Sequence, residues 1–350
     1  MKSLSKFIRT VIFCPQQNQN MKKVIFRLAV AGFIALTCFV CAAQNPLPGL
    51  EKYHRVVFIG DSITYYGGYV DDIEAYVLTR DTNSTITFLN LGQSSETVSG
   101  LSEPGHAGGK YTRPDMHTRL AAVLEKTKPD LVVADYGMND GIYQPFSDEH
   151  FQKFTDGMEW LHNTVVKSGA KIIHVTPSPF DPLACKKPLS PDGARGFDGP
   201  YTNYDDVLAR YAAWLDAQRT NGWDVIDIHT PMARFLVAHR ETDATYAITR
   251  DGVHPNDVGN WLMAREILVH LGASADIGKM DSVEPMLAVN PHGDELLKLV
   301  TQEQDILRDA WLTAADHLRP GHPAGLPLPE AEQQATALEA KIHVLAVGLK

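Results

Sequence analysis

The sequence predicts an α/β fold in which a parallel sheet is covered on both faces by helices. Five short apolar runs rich in β-branched residues fall at residues 55–59, 85–91, 130–136, 171–175 and 224–228. Stretches with helical spacing separate or follow them, at 69–79, 116–127, 148–168, 204–220 and 257–270. The runs are continuously apolar rather than alternating, the pattern of strands buried on both sides, and helices between them make a parallel sheet the simplest connection.

Taken in chain order, residues 1–43 hold six basic residues (Lys2, Lys6, Arg9, Lys22, Lys23, Arg27) and no acidic one. Lys22 and Lys23 precede an apolar stretch over 28–40, and Cys41, Ala42 and Ala43 supply small residues for cleavage, the layout of a secretory signal. The stretch is short of the roughly 20 residues that span a bilayer, so a cleaved signal is expected rather than an anchor. Residues 1–20 read as an upstream extension, with Met21 as the start. The expectation is an exported protein, periplasmic or extracellular, with no stable membrane insertion after cleavage. A lipid-anchored form is the lesser alternative, because neither Cys38 nor Cys41 follows a convincing Leu-x-Ala/Gly pattern. Loss of residues 1–43 moves the net charge from −10 to about −16, which excludes nucleic acid and anionic lipid as natural partners. Only Cys185 remains of four cysteines, so packing alone must hold the core. The histidines lack paired ligand spacing, and no metal or other cofactor is expected.

The exits of the first three apolar runs carry the chemistry. Gly60-Asp61-Ser62 ends the first and places a serine where a buried strand turns over. Asn90-Leu91-Gly92 ends the second, and Gly137-Met138-Asn139-Asp140 the third. Parallel sheets bind ligands outside the carboxyl ends of their strands, so Ser62, Gly92 and Asn139 share one rim. Asp251-Gly252-Val253-His254-Pro255 lies in a late loop. Two loops, over 93–115 and 177–200, are longer than connectors need and are expected to wall a cleft on that rim. Within the first, His106 and Arg113 are candidate substrate contacts.

A serine hydroxyl needs a base within hydrogen-bond reach, and imidazole has the right pKa; His254 is assigned that role. Asp251, three residues upstream, can turn back to hold the other ring nitrogen and fix the tautomer. Attack on an ester carbonyl puts negative charge on oxygen, for which the N–H groups of Ser62 and Gly92 and the side-chain amide of Asn139 are the candidate donors. Asp61 reads as a helix cap and Asp140 as a structural partner of its own loop. His174, inside an apolar run, and His229, just beyond one, are poorer candidates for the base.

These four blocks, in this order over residues 54–272, resemble the signature blocks of the SGNH hydrolases, also called the GDSL family. The resemblance implies a three-layer α/β/α sandwich of flavodoxin-like type with a five-stranded parallel sheet, an esterase site without metal, and the same three oxyanion donors. It places the hydrolase domain at 44–280. Residues 281–350 have no counterpart in the minimal family domain. There, Leu296, Val300, Leu307, Trp311, Ala314 and Leu318 recur at helical spacing, four prolines interrupt, and Leu338, Ile342 and Leu345 resume the stripe. Two amphipathic helices are expected, docked on the hydrolase body in preference to a dimer contact or a lid. They show no basic face that would favour a membrane surface.

The expected function is hydrolysis of short acyl esters, foremost O-acetyl groups on carbohydrate; the partner is then an acylated small molecule or polysaccharide. Export, polar rim loops and the lack of an apolar stretch for a fatty chain favour it. The alternatives are a lipase, lysophospholipase or thioesterase of the same family, and a carbohydrate-binding module without catalysis, which the complete set of site residues opposes.

Overall fold

The computed structural model describes residues 47–317 and 319–348; the signal segment with its cleavage site, and Leu318 of the C-terminal stripe, lie outside them. Strands β1 (Arg55–Gly60), β2 (Thr87–Asn90), β3 (Leu131–Asp135), β4 (Lys171–Val175) and β5 (Asp224–Ile226) form one sheet in the order β2-β1-β3-β4-β5. Every neighbouring pair is parallel. From Val56 to Ile59 and from Leu131 to Ala134 no side chain is more than 1% exposed, so helices cover both faces of the central strands. Each such Val, Leu or Phe stabilises the fold by roughly 1.5–3 kcal/mol, which explains why the runs do not alternate. The fold is the expected α/β/α sandwich. Its order reverses at β1 and β3, and a crevice forms at the carboxyl ends of strands at such a point.

Among the described residues up to residue 270, besides an irregular four-residue turn at His106–Gly109, seven α-helices accompany the strands: α1 (Ser62–Tyr66), α2 (Gly68–Arg80), α3 (Leu120–Thr127), α4 (Asp148–Ser168), α5 (Tyr204–Ala217), α6 (His229–Arg240) and α7 (Asp257–His270). Helices α4 and α7 have the bounds expected from sequence, because their ends carry strong signals. Ser147 caps α4 by accepting from the His150 N–H, and Gly169, at φ +97°, ends it. Asn256 caps α7 through the Gly259 N–H. The helix expected at 116–127 opens as a separate 3₁₀ turn, Met116–Thr118, capped by Asp115. Helix α1 is a single turn, too short to show a period, and α6 is not among the stretches expected from helical spacing. It contains Pro231, which sits in the first turn, where proline is tolerated. Among the described residues no helix is long and apolar enough to cross a membrane.

The C-terminal stripe forms two antiparallel-paired helices, α8 (Gly293–Ala314) and α9 (Leu328–Ala346), and α8 packs on α2 and along β2. Leu296, Val300, Leu307 and Trp311 are buried there. Strand β2 is the edge of the sheet, and α8 covers it: Gln304 Nε2 donates to the Phe88 carbonyl at 3.0 Å and to Glu74 Oε2 at 2.6 Å. Thr301 Oγ1 donates to Asp71 Oδ2 at 2.8 Å. The extension is therefore docked on the body, as its apolar stripe requires.

Docking buries carboxyl groups from both sides. Burial pushes Asp71 up to about 7 and Glu74 up to about 8, in each case against a hydrogen bond from the extension. Burial, the charges of Glu74 and Glu339, and a hydrogen bond with Glu339 push Glu303 up to about 9. An unfolded carboxyl titrates near 4, so the folded state holds more protons across the interval between. The stabilisation is thus fully present below about pH 4 and is lost as pH rises through 7 to 9. Thermal melts should give a Tm several degrees lower at pH 9.5 than at pH 6 (~1–3 kcal/mol), and Glu303→Gln should flatten that slope and raise Tm at the alkaline end. A Tm that does not change over this range, or a slope unaffected by the substitution, contradicts the assignment.

Candidate active site

Strand β1 delivers Ser62 through a tight turn. A Cβ on Gly60 would lie 2.3 Å from Thr64 Oγ1 and 2.6 Å from the Asp135 carbonyl oxygen, so only glycine fits. Asp61 caps α1 by accepting the Ile63 N–H at 2.9 Å, and Gly67, at φ +67°, closes the helix after one turn. Ser62 is the first residue of that turn, which leaves its N–H without an intrahelical acceptor. In the loop before α7, Asp251 Oδ1 accepts the N–H groups of Val253 and His254 at 3.1 and 2.9 Å. Its other oxygen lies 2.8 Å from His254 Nδ1, and His254 Nε2 lies 2.9 Å from Ser62 Oγ. Burial alone would raise the Asp251 pKa, but the imidazole, its charge and the two backbone donors outweigh it and hold the carboxyl at about 2. An ionised Asp251 accepts a hydrogen bond from Nδ1–H and fixes that tautomer, so the Nε2 lone pair faces the serine hydroxyl. The structure brings Ser62, His254 and Asp251 together as expected.

The expected oxyanion donors are placed less uniformly. Asn139, on the turn after β3, lines the same pocket as Ser62 and His254. Its Oδ1 accepts from Arg113 Nη1 at 2.8 Å and from the Tyr143 hydroxyl at 3.2 Å, which fixes the amide with Nδ2 on the other side. Nδ2 donates to Asp61 Oδ2 at 3.0 Å and, more weakly, to the Glu96 carbonyl at 3.3 Å. Gly92 is a correction. Its N–H is taken by Asn90 Oδ1 at 2.9 Å, and a Cβ there would meet the Tyr65 nitrogen at 2.3 Å, so this glycine lets the β2 exit press against α1. Ser94 and Ser95 reach the pocket from this segment, and Ser95 is held at φ +70° with no hydrogen bond from its N–H among the described residues. A non-glycine residue in the left-handed region leaves no mark that sequence reading recognises.

Two buried ion pairs hold this segment. Arg119 Nε and Nη2 donate to the two oxygens of Glu96 at 2.6 and 2.7 Å, and the Tyr136 hydroxyl donates to the same carboxylate at 2.6 Å. Arg113 Nε and Nη2 donate to Glu103 at 2.6 and 2.7 Å. Burial would raise the Glu103 pKa, but the hydrogen bonds from His106 and Arg113 hold it near 2. Arg113 was expected to touch substrate; with its donors spent on Glu103, Asn139 and the Ser95 carbonyl, it positions the site instead. His106 does line the pocket, with Nδ1 3.4 Å from Glu103 Oε1 and Nε2 unpartnered.

Asp140 ties the first long loop down by accepting the N–H groups of Val98 and Ser99 at 2.9 and 2.8 Å, the structural role expected of it. Phe197 of the second long loop joins the wall, its N–H 3.4 Å from Glu103 Oε1, so both loops bound the cleft. The pocket encloses about 290 Å³. Part of its wall comes from the turn between α8 and α9: Arg319, Gly321, His322 and Pro323. Sequence reading missed these, since nothing local says where a proline-rich turn lands. His174 is buried in β4 beside Trp223, and His229 starts α6 with Nδ1 3.1 Å from the Pro177 carbonyl oxygen; neither approaches Ser62.

Among curated proteins none matches this sequence. Solved structures that are similar include a gut microbial diltiazem-metabolizing enzyme (22% identity, TM-score 0.49, covering 66% of this chain and 49% of that one). Others are a catalytic mutant of Axe2, an acetylxylan esterase from Geobacillus stearothermophilus (20%, TM-score 0.46, 63% and 95%), and the acetyl xylan esterase AlAXEase (22%, TM-score 0.44, 61% and 98%). The chain spans about half the length of the first of these. The GDSL-like lipase/acylhydrolase family matches residues 58–262, more than half of the chain and all four blocks, and this protein belongs to it.

Proposed function

We propose that the protein is a serine esterase for short acyl esters, foremost O-acetyl groups on carbohydrate. The observation that carries this reading is the relay of hydrogen bonds from Asp251 through His254 to Ser62, at 2.8 and 2.9 Å. Ser62 Oγ attacks the ester carbonyl as its proton passes to His254 Nε2, and Asp251 stabilises the imidazolium that results. Negative charge on the former carbonyl oxygen meets the N–H groups of Ser62 and Ser95 and the Asn139 amide, whose long 3.3 Å bond to the Glu96 carbonyl is the weaker competitor. Collapse expels the alcohol, which takes the proton from His254. Water, deprotonated by the same imidazole, then cleaves the acyl-serine and releases the acid. No step needs a metal.

The short-chain preference rests on the wall. Serines, an arginine, an asparagine and histidines share the wall with aromatic residues, a mixed lining that suits a short acyl group on a polar alcohol better than a fatty chain. The basic and apolar pattern of residues 21–43 supports export, where polymeric carbohydrate is met.

Ser62→Ala should lower kcat on p-nitrophenyl acetate by at least about 10,000-fold and Asp251→Asn by about 1,000- to 10,000-fold; retained turnover in the first variant contradicts the mechanism. The acetate should be cleaved at least about tenfold more efficiently than the decanoate, and the reverse order supports the lipase alternative. Replacing Arg113 and Glu103 together, by Met and Gln, removes both buried charges at once and avoids leaving one unpaired. This double variant should lose about 10- to 100-fold in kcat with KM nearly unchanged, because it frees the Asn139 amide without touching substrate. A change confined to KM would instead make Arg113 a substrate contact.

A further inference from the structure

The pocket's electrostatic balance is unusual for so acidic a chain. The protein carries a net charge of −10, yet no aspartate or glutamate lines the pocket. Two guanidinium groups do. That of Arg113 is neutralised by Glu103, whereas Arg319 pairs with no carboxylate among the described residues and its guanidinium lies 5.6 Å from the centre of the Tyr111 ring. Its Nη1 reaches only the carbonyl of the adjacent Pro320, at 3.3 Å, and its Nε is buried without any hydrogen bond. Asp309, the acid nearest in the α8 sequence to this turn's inner side, is already engaged by Arg308 Nε at 3.0 Å and the Tyr65 hydroxyl at 3.3 Å.

His322 stands beside Arg319 on the same turn, its Nε2 also buried and unpartnered. Burial and the neighbouring Arg319 and His317 push its pKa down to about 4, so it offers a neutral hydrogen-bonding nitrogen. His106 of the first long loop adds a third nitrogen, Nε2, that is buried without a hydrogen bond among the described residues. Buried donors without acceptors cost about 1–3 kcal/mol each, and a cation held away from water costs more; a ligand with matching groups recovers both.

The turn is held against the nucleophile's own helix. Arg308 Nη1 donates to the Tyr65 carbonyl at 3.1 Å, and its guanidinium lies 4.2 Å from the centre of the Tyr65 ring. The His322 ring also packs on Tyr65, with ring centres 4.5 Å apart and edge to face. The Gly325 N–H donates to Thr313 Oγ1 at 3.0 Å, and a Cβ at Gly325 would strike the Asp309 backbone at 2.2 Å, so the chain leaving the turn is tied back to α8. Arg319 is therefore a fixed part of the site.

We propose that the C-terminal turn recognises a carboxylate on the alcohol part of the ester, so that the preferred substrate is an acylated acidic sugar such as an acetylated uronate. A neutral sugar leaves the Arg319 guanidinium partly desolvated with no counter-charge, whereas a carboxylate supplies that charge and accepts from the free Nη2. His322 and His106 then meet the flanking hydroxyls. This inference rests on the esterase reading for the site's use, and it gives the extension a role in selecting substrate.

Binding tests it apart from turnover. Isothermal titration of the Ser62→Ala protein at pH 6 and low salt, with tetragalacturonate and with its fully methyl-esterified form, compares the two charge states of one oligomer. The free acid should bind at least tenfold more tightly. Adding Arg319→Gln should abolish the difference, and adding Arg319→Lys should keep part of it, with thermal melts reporting that each variant is folded. Equal affinity for the two oligomers, no binding of either, or a preference that survives Arg319→Gln overturns the proposal. Hydrolysis of p-nitrophenyl acetate by the unsubstituted protein reports separately on the esterase reading, so the two can fail independently.

Discussion

The hydrogen bond between Ser62 Oγ and His254 Nε2 joins groups 192 residues apart, and the rest of the site depends on it. Neither end can move freely. Ser62 is fixed by the buried β1 strand on one side and the capped single turn of α1 on the other. His254 is fixed by Asp251, which holds both its ring and its backbone N–H, and by the Asn256 cap that starts α7 two residues later. The sheet order makes the meeting possible, because reversal at β1 and β3 opens a crevice at the carboxyl ends where these segments emerge.

A second layer of constraint is electrostatic and lies almost wholly out of water. The Arg119–Glu96 and Arg113–Glu103 pairs have side chains no more than 2% exposed, so each ion lost most of its hydration on folding. Buried pairs of this kind add little net stability, since desolvation offsets attraction, but they define geometry sharply. Here they bracket one short segment. Glu96 is pinned by Arg119 and Tyr136 directly after Ser95, and Arg113 Nη1 donates to the Ser95 carbonyl at 3.4 Å while orienting Asn139. A serine at φ +70° persists only where its surroundings over-determine it, and these pairs do so. The result is a set of N–H donors positioned before any substrate arrives, which is the form of electrostatic stabilisation that acts with least reorganisation.

Much of this was legible in the sequence because the signals were local or strongly periodic. Continuously apolar runs located all five strands, since burial on both faces leaves no room for polar alternation. Helical spacing gave 148–168 and 257–270 to the residue, where Ser147 and Asn256 cap the helices, and the Asp251–His254 spacing placed carboxylate and imidazole on one tight turn. What escaped was set by contacts distant in the chain. Gly92 looked like an approach to substrate, but its lack of a side chain answers the backbone of Thr64 and Tyr65. Arg113 read as a candidate substrate contact, but Glu103 ten residues earlier takes two of its donors. Ser95 gave no sign at all, because its backbone geometry is imposed by side chains from two other segments.

The C-terminal extension shows how one apolar stripe can serve two ends. Covering the β2 edge removes an exposed row of strand hydrogen-bonding groups, and that requirement alone justifies α8. Once α8 lies along β2 and α2, its C-terminal end comes level with α1, since Arg308 and Asp309 clasp Tyr65 three residues beyond the serine. Any chain reversing into α9 must then pass over the mouth of the cleft. The prolines that stiffen this reversal keep it short, and Arg319 and His322 fall on it. The position of the turn thus follows from edge protection, whereas the unpaired charge on it does not: stability would be better served by a neutral residue, so its presence at the pocket wall is best explained by what the pocket binds.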